Sequence, residues 1–178
     1  MSDNTVTLGG SPCEFVQIGI VVKDLDRAVK YLAEVFGLGP FRFITYPPAD
    51  RKDMELVHRG QAGHFSHRLA FAQLGSIELE LAQPLEGESG LTEFLREHGE
   101  GLHHIRFNTP QLQPALDYLA AKGVQPIMSG SGIRPGTQWV HLDTSDQVGF
   151  VIELMNVLPN SDGRTPDIVD GKAVVSTT

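Results

Sequence analysis

The segment VQIGIVVKDLDRAVKYLA, residues 16–33, aligns without a gap with the segment HHIRFNTPQLQPALDYLA, residues 103–120, and both end in Tyr-Leu-Ala. Each segment begins with the alternation that is typical of a strand. It continues with apolar residues at the three- and four-residue spacing of an amphipathic helix, and Asp24 is expected to cap the first helix. An internal repeat of this kind predicts two copies of one structural unit.

Strand-like runs separated by turn residues follow each predicted helix. They are residues 41–46, 68–74 and 77–82 in the first half and residues 124–128, 138–143 and 150–157 in the second. Each half therefore contains one helix and about four strands, which defines a βαβββ module. We predict an α+β fold with a first module over 14–85, a helical connector over 86–101, a second module over 102–158 and an extended tail over 159–178.

The composition argues against several classes of function. The 178 residues carry a formal net charge of −8, whereas surfaces that bind nucleic acids or anionic membranes neutralise phosphates with Lys and Arg. Cys13 is the only cysteine, so no internal disulfide can form and a reducing compartment is favoured. The sequence starts without a basic and apolar leader, and its longest apolar runs have the length of strands. We therefore expect a cytoplasmic protein without membrane spans.

Four polar residues stand at matched positions of the predicted strands. Gln17 and His104 are equivalent in the repeat, and Glu80 and Glu153 each lie between apolar residues on the last strand of their half. Each one alone could be an ordinary polar residue of a half-exposed strand. However, unpaired burial of the two carboxylates among apolar neighbours would cost roughly several kcal/mol. Three oxygen donors and one imidazole suit a divalent ion such as Zn, Co, Ni, Mn, Mg or Fe(II).

Three stretches of the chain resemble a known superfamily: QIGIVVKDLDRA at 17–28, LGSIELELAQP at 74–84 and FLREHGEGLHHI at 94–105. They resemble the vicinal oxygen chelate superfamily (glyoxalase, bleomycin resistance and dioxygenase proteins), and within it methylmalonyl-CoA epimerases and glyoxalase I. The resemblance covers about residues 14–157. It implies a homodimer and paired βαβββ modules that form an open β-barrel around a metal site. The ligands that it implies are Gln17, Glu80, His104 and Glu153.

The implied reaction is abstraction of a proton next to a carbonyl group, with a metal-stabilised enolate. Glu153 or Glu80 would move the proton, while His67 is a weaker candidate for the base and is expected to be exposed. The epimerases usually carry histidine where this chain has Gln17, and a set of Gln, Glu, His and Glu is similar to the zinc-type glyoxalase I. Two types of reaction therefore remain possible. One is epimerisation or isomerisation, and the other is a glyoxalase-type lyase reaction.

Two other functions occur in the same superfamily. Ring-cleaving dioxygenases use two histidines and one carboxylate on Fe(II), whereas the matched positions of this chain offer one histidine. Non-catalytic proteins that sequester small molecules keep the cavity and lose the metal ligands, whereas this chain retains four potential donors. Both functions are therefore less favoured than the proton-abstraction reaction.

Four further residues are candidates for contacting a small-molecule substrate with adjacent oxygens. Arg106 shares a strand face with the predicted histidine ligand, and it binds a substrate carboxylate or neutralises the ligand carboxylates. Trp139 and His141 share another strand face near the expected cavity, and the alternative there is a packed Trp beside a surface His. Arg134 lies in the glycine-rich stretch 129–136. That stretch is either a lid whose arginine meets an anionic group or a plain hairpin connection.

Overall fold

The computed structural model describes residues 5–156, 167–169 and 172–174. Its strands are β1 (Thr5–Leu8), β2 (Ser11–Val21), β3 (Arg42–Tyr46), β4 (Leu56–His58), β5 (Gln61–Ala62), β6 (Ser66–Leu74), β7 (Ile77–Glu86), β8 (Gly101–Thr109), β9 (Pro126–Ser131), β10 (Gln138–Leu142), β11 (Val151–Asn156), β12 (Asp167–Val169) and β13 (Lys172–Val174). Its helices are α1 (Leu25–Phe36), α2 (Gly90–His98), α3 (Leu112–Ala120) and the short α4 (Ser145–Val148).

Eleven of the described strands form one mixed sheet, in the spatial order β3-β6-β7-β2-β8-β11-β10-β9-β4-β5, with β1 paired to β2. The two repeats occupy the two halves of this sheet. β2 runs parallel to β7 in the first half, and β8 runs parallel to β11 in the second. β2 and β8 pair antiparallel at the junction, which relates the halves by a pseudo-twofold axis. The predicted α+β, glyoxalase-like fold is confirmed as a curled half-barrel, while the module boundaries stay a prediction.

The helices α1 and α3 pack their apolar stripes against the convex face of their own half. α1 begins after Asp24, whose side chain accepts a hydrogen bond from the Arg27 backbone N–H at 2.9 Å. Leu25 of α1 is fully buried in a cluster with apolar residues of β6 and β7. Leu112 and Ala115 of α3 pack in the same way against β10 and β11. The apolar periodicity thus identifies both helices and the faces that they bury.

The predicted connector contains a helix, α2, between the two halves. Its N-cap is Ser89, whose hydroxyl oxygen accepts a hydrogen bond from the Thr92 backbone N–H at 3.2 Å. Leu91 is buried, and Phe94 and Leu95 pack against the same core cluster. α2 therefore contributes to one wall of the half-barrel.

Two segments differ from the sequence prediction. Between β3 and β6 the chain forms the hairpin β4–β5, and β4 extends the outer edge of the second half by pairing antiparallel with β9. Strands of two or three residues are too short to give a periodic signal. The predicted loop 129–136 is shorter than expected, because residues 129–131 belong to β9. Gly130 lies in this strand where the Trp139 ring and the Tyr46 hydroxyl approach the backbone, each 2.7 Å from the position of a Cβ atom.

Two remaining expectations concern membrane spans and the C-terminal tail. Within the described residues, no helix is long and apolar enough to cross a membrane. Of the tail predicted over 159–178, β12 and β13 pair antiparallel with each other, and the other residues lie outside the described part of the chain.

Candidate metal centre

The concave face of the half-barrel lines a cavity of about 550 Å³. Side chains alternate across each strand, so every second residue of the central strands belongs to this face. Gly19 of β2 pairs with both Glu80 and His104, and Glu153 of β11 pairs with both Arg106 and His141. The register therefore assembles polar groups from both repeats in one cavity.

Three of these side chains form a compact cluster. His104 Nε2 lies 3.2 Å from Glu153 Oε2, and His141 Nε2 lies 3.6 Å from the same oxygen. One candidate ligand atom from each residue lies within 4.8 Å of the other two, and all three residues are buried. Two imidazoles and one carboxylate at this spacing fit a divalent cation, with coordination positions left for water or substrate oxygens.

The buried position of His104 favours metal binding. Burial lowers the pKa of His104 well below its usual value, and neighbouring His141 and His103 lower it further. The imidazole is therefore neutral at pH 7, which is the form that coordinates metal ions. Although Glu153 approaches His104 Nε2, this nitrogen has no partner in hydrogen-bond geometry among the described residues. An ion at this point would satisfy a buried polar atom that is otherwise costly.

Two neighbours fix the His104 ring. His104 Nδ1 lies 3.0 Å from Nδ1 of His103, which is also buried. Donation from His104 Nδ1 to His103 Nδ1 corresponds to the tautomer in which His104 Nε2 carries no proton, as a metal ligand must. Gly19 lies against the ring on the neighbouring strand, because a Cβ atom at Gly19 would stand 2.0 Å from His104 Cε1. The ring itself, therefore, requires glycine at position 19.

Glu80 is a second buried carboxyl group on the concave face, 8% exposed. Burial raises the pKa of Glu80 to about 8, and the negative charge of Glu153 adds to this effect, whereas Arg106 opposes it. Glu80 is not part of the three-residue cluster, while Glu153 contacts both histidines. A carboxyl group that exchanges its proton near neutral pH is suited to acid–base catalysis.

Gln17 is fully buried, and its side-chain amide contacts Glu78. Gln17 Nε2 donates to Glu78 Oε1 at 2.7 Å, and Gln17 Oε1 has no hydrogen-bond partner among the described residues. Of the four predicted ligands, the structure brings His104 and Glu153 together and adds His141. The metal-ligand roles of all four predicted residues stay predictions.

All four residues that were expected to contact substrate line the cavity: Arg106, Arg134, Trp139 and His141. His141 contacts Glu153, so it is placed with the metal cluster. Trp139 Nε1 donates to the Tyr46 hydroxyl at 2.8 Å, and that hydroxyl donates to the Ser131 carbonyl at 2.6 Å. Arg134 lies in the connection between β9 and β10. Direct contact of these residues with a substrate stays a prediction.

His67 is buried, although the sequence prediction placed it at the surface. It is 4% exposed, its ring stacks on Phe65, and its Nε2 lies 3.0 Å from the Ser89 hydroxyl. Burial lowers the pKa of His67 to about 3, so the imidazole is neutral at pH 7. Strand alternation indicates this position, because His67 shares a face with Leu69 and Phe71.

Sequence reasoning also missed Arg42, Tyr46 and Glu78 as cavity residues. Alternation along β7 places Glu78 on the same face as Glu80. The repeat does not mark Glu78, since the matching residue of the second half is Val151. A search restricted to polar residues in both copies therefore overlooks residues that serve one copy alone.

The chain matches the Glyoxalase/Bleomycin resistance protein/Dioxygenase superfamily over residues 16–142, and it belongs to this family. It is 32% identical over 110 residues to the uncharacterised protein YqjC of Bacillus subtilis (strain 168), across 62% of this chain and 67% of the relative. It is 22% identical over 139 residues to the mitochondrial methylmalonyl-CoA epimerase of Mus musculus, across 77% of this chain and 69% of the relative.

Solved structures show the same fold. A variant of Streptomyces coelicolor methylmalonyl-CoA epimerase, in complex with 2-nitronate-propionyl-CoA, superposes with a TM-score of 0.57 at 25% identity, over 80% of this chain and 92% of that chain. A hypothetical protein from Bacillus halodurans C-125 gives a TM-score of 0.59 at 21% identity, over 82% of this chain and 95% of that chain.

Proposed function

We propose that the chain is a metal-dependent epimerase or isomerase that removes a proton next to a carbonyl group, similar to methylmalonyl-CoA epimerase. The observation that carries the proposal is the buried cluster of His104, His141 and Glu153 in a cavity that also contains the carboxyl group of Glu80. The similarity to methylmalonyl-CoA epimerases supports it.

The three clustered residues would hold the metal. Two imidazole nitrogens favour Zn, Co, Ni, Mn or Fe over Mg. A divalent ion bound there would supply Lewis-acid polarisation of two adjacent substrate oxygens and stabilisation of the enolate charge. The protein contributes the neutral state of His104 and the orientation of its ring by His103 and Gly19.

Glu80 is the residue that we assign as the proton carrier. Glu153 approaches both His104 and His141, so its carboxylate is committed to the cluster. Glu80 lies on the same cavity face without joining that cluster, so its carboxylate is available to accept the substrate proton and to return it. Return of the proton by Glu80 to a neighbouring atom gives isomerisation, whereas epimerisation requires a second proton donor, such as a water molecule on the opposite face, to protonate the same carbon.

A ring-cleaving dioxygenase is the second candidate function. The specific observation that favours it is His141, because His104, His141 and Glu153 together make a set of two histidines and one carboxylate. This set is the one that non-haem Fe(II) oxygenases use. The two candidates differ in their requirements, since ring cleavage consumes O₂ and proton abstraction does not.

The first experiment measures metal content and solvent exchange. Purified protein should contain about one divalent ion per chain, and His104→Ala should lose it. The loaded protein, incubated in deuterated water with methylmalonyl-CoA, should exchange the proton next to the carbonyl groups, and Glu80→Gln should abolish the exchange while keeping the metal. Sedimentation velocity on the same preparation tests the expected homodimer.

Two exposed residues provide matched controls. Glu86→Gln changes a carboxylate on the same strand as Glu80, and His98→Ala removes a surface imidazole. Both variants should keep the metal and the exchange rate of the unaltered protein. Full metal occupancy in His104→Ala would overturn the metal site. O₂ uptake with a catechol by the Fe(II) form, without proton exchange, would favour the dioxygenase. Tight binding of an unreacted ligand would favour sequestration.

A further inference from the structure

We propose that Arg42 and Arg106 form a subsite for a carboxylate of the substrate. The substrate is then an organic acid whose other, oxygen-bearing end lies at the metal cluster. This inference deepens the proposed function and rests on it, because the metal holds that other end. Both arginines line the same cavity as His104 and Glu153, on strands β3 and β8.

A single carboxylate, Glu78, serves both arginines. Glu78 Oε2 accepts a hydrogen bond from Arg42 Nη2 at 3.3 Å, and Glu78 Oε1 lies 3.6 Å from Arg106 Nη2. The same Oε1 accepts a shorter hydrogen bond, of 2.7 Å, from Gln17 Nε2. The Arg106 contact is longer than a hydrogen bond, so Glu78 satisfies Arg42 in part and Arg106 by charge alone.

Some N–H donors of the two guanidinium groups lack a hydrogen-bond partner among the described residues. Arg42 Nη1 and Arg106 Nε are buried and have no hydrogen-bond partner within the described residues. Each guanidinium carries five N–H donors in a fork that matches a carboxylate, and leaving such donors unpaired in a low-dielectric site is costly. Glu78 alone therefore does not satisfy either guanidinium group, and a carboxylate in the cavity would accept from the N–H donors on the part of each group that remains exposed there.

The charges of the cavity also favour an anion. With a divalent ion at the cluster, the positive charges of the ion, Arg42 and Arg106 exceed the negative charges of Glu78, Glu80 and Glu153, even when all three carboxylates are ionised. Walls of low dielectric strengthen the attraction that this surplus exerts on a bound anion.

Packing holds the Arg42 side chain in place before any ligand arrives. Its guanidinium carbon lies 4.8 Å from the centre of the Phe71 ring, within the range of a cation–π interaction. The Arg42 side chain is 27% exposed and the Arg106 side chain 18% exposed, so part of each remains open to the cavity. A positioned arginine loses little conformational freedom on binding, which favours affinity and selectivity.

The test compares two probes that share a 2-oxo acid end and differ only at the far end. These are 2-oxoglutarate, which has a distal carboxylate, and its distal N,N-dimethylamide, whose nitrogen carries no hydrogen and cannot cyclise onto the 2-oxo group. Calorimetric titration of the metal-loaded protein should show the acid binding at least about tenfold more tightly than the amide. Arg42→Met and Arg106→Met should each reduce that preference to less than about threefold, without changing metal affinity.

A further variant, Glu78→Gln, should strengthen the binding of the acid, whereas the two methionine variants weaken it. Glu78→Gln keeps a hydrogen-bond acceptor beside Gln17 and both arginines while removing the competing negative charge. The acid should therefore bind severalfold more tightly, an effect that a purely structural ion pair would not give. Arg42→Lys should keep part of the preference, because it keeps the charge and loses the fork. Arg68→Met, which removes a surface arginine paired with Asp26, is the matched control and should change nothing.

The outcomes separate the subsite from the proposed reaction. Equal binding of acid and amide, absence of acid binding, or a preference that survives both methionine variants overturns the subsite. If the protein binds a metal and exchanges the proton of methylmalonyl-CoA but shows no preference, the proposed function stands and the subsite fails. If no metal binds but the metal-free protein still prefers acid over amide in an Arg106-dependent way, the subsite stands and the proposed function fails.

Discussion

The two halves of the sheet have the same topology but divide the chemistry between them. The second half supplies the three clustered donors, and the strand registers place these at positions matching Gln17, Phe71 and Glu80 of the first half: His104, His141 and Glu153. The carboxylate position is kept in both copies, while the two imidazole positions are not. The repeat thus gives a symmetric scaffold, and differences at single matched positions place the candidate metal cluster in one half.

A second pair of matched positions shows how the first half supports the cluster. Gly19 and Arg106 are equivalent in the repeat. Gly19 leaves room for the His104 ring, whereas Arg106 extends toward Glu78. The first half therefore contributes space, a second carboxyl group and counter-charges, and the second half contributes the candidate metal ligands.

The largest expected difference between the halves is in metal affinity. Structural zinc sites with four ligands bind with an apparent free energy of roughly 10–16 kcal/mol, so one ligand is worth about 3 kcal/mol. Glu153→Gln should therefore weaken metal binding by about 100-fold or more. Glu80→Gln, the equivalent change in the first half, should weaken it by less than about tenfold. Competition with a chelating dye measures both, and equal losses would show that the two halves share the metal.

The next largest effect concerns the pH dependence of stability. The pKa of Glu80 is about 8 in the folded, metal-free protein and lower in the unfolded chain, so the folded state retains a proton that the unfolded state releases. The contribution of Glu80 to the free energy of unfolding should therefore fall as the pH rises toward 8, by about 2 kcal/mol between pH 6.5 and 8. Glu80→Gln should remove this fall.

Urea unfolding of the chelator-treated protein at several pH values measures this effect. Buried His67, His103 and His104 have lowered pKa values, so they make the protein less stable as the pH falls through about 6.5, and part of this change lies above pH 6.5. Because the histidines act alike in both proteins, the difference in slope between the unaltered protein and Glu80→Gln isolates Glu80. Glu86→Gln, on the exposed end of the same strand, should keep the slope of the unaltered protein. An unchanged slope in Glu80→Gln would contradict the raised pKa.

Much of this arrangement could be predicted from the sequence, because repeated periodic patterns encode it. The repeat located His104 as the partner of Gln17, and alternation placed Glu80 and Glu153 on the concave face. His141 was identified only as a substrate contact, since its matched residue is Phe71 and its approach to Glu153 depends on the β10–β11 register. Burial of His67 is indicated by strand alternation, whereas its contacts with Phe65 and with Ser89 before α2 depend on tertiary packing, which no local pattern specifies.

A smaller loss of stability and of metal affinity should come from filling the space that Gly19 leaves for the His104 ring. A Cβ atom at Gly19 would overlap the His104 ring, so Gly19→Ala must displace the imidazole. Overpacking of this kind should cost about 2 kcal/mol of stability and should also weaken metal binding. Gly101→Ala is the matched control, because a Cβ atom at Gly101 would meet no atom within 4 Å. Thermal unfolding and dye competition measure the two effects, and equal behaviour of the two variants would contradict the packing of the ring on Gly19.

The smallest expected difference between the halves is in the stability that the first residue before each equivalent helix, α1 or α3, contributes. Asp24 caps α1 through its hydrogen bond with the Arg27 backbone N–H, whereas Gln111 at the start of α3 makes no side-chain capping hydrogen bond. Asp24→Ala should therefore destabilise the protein by about 1 kcal/mol, and Gln111→Ala by only a few tenths of that. Chemical denaturation at pH 7 measures both. Equal losses would mean that the two helix starts contribute alike, and a larger loss in Gln111→Ala would place the stabilising contact of the second half in its weak hydrogen bond with the Ser11 hydroxyl, at 3.5 Å.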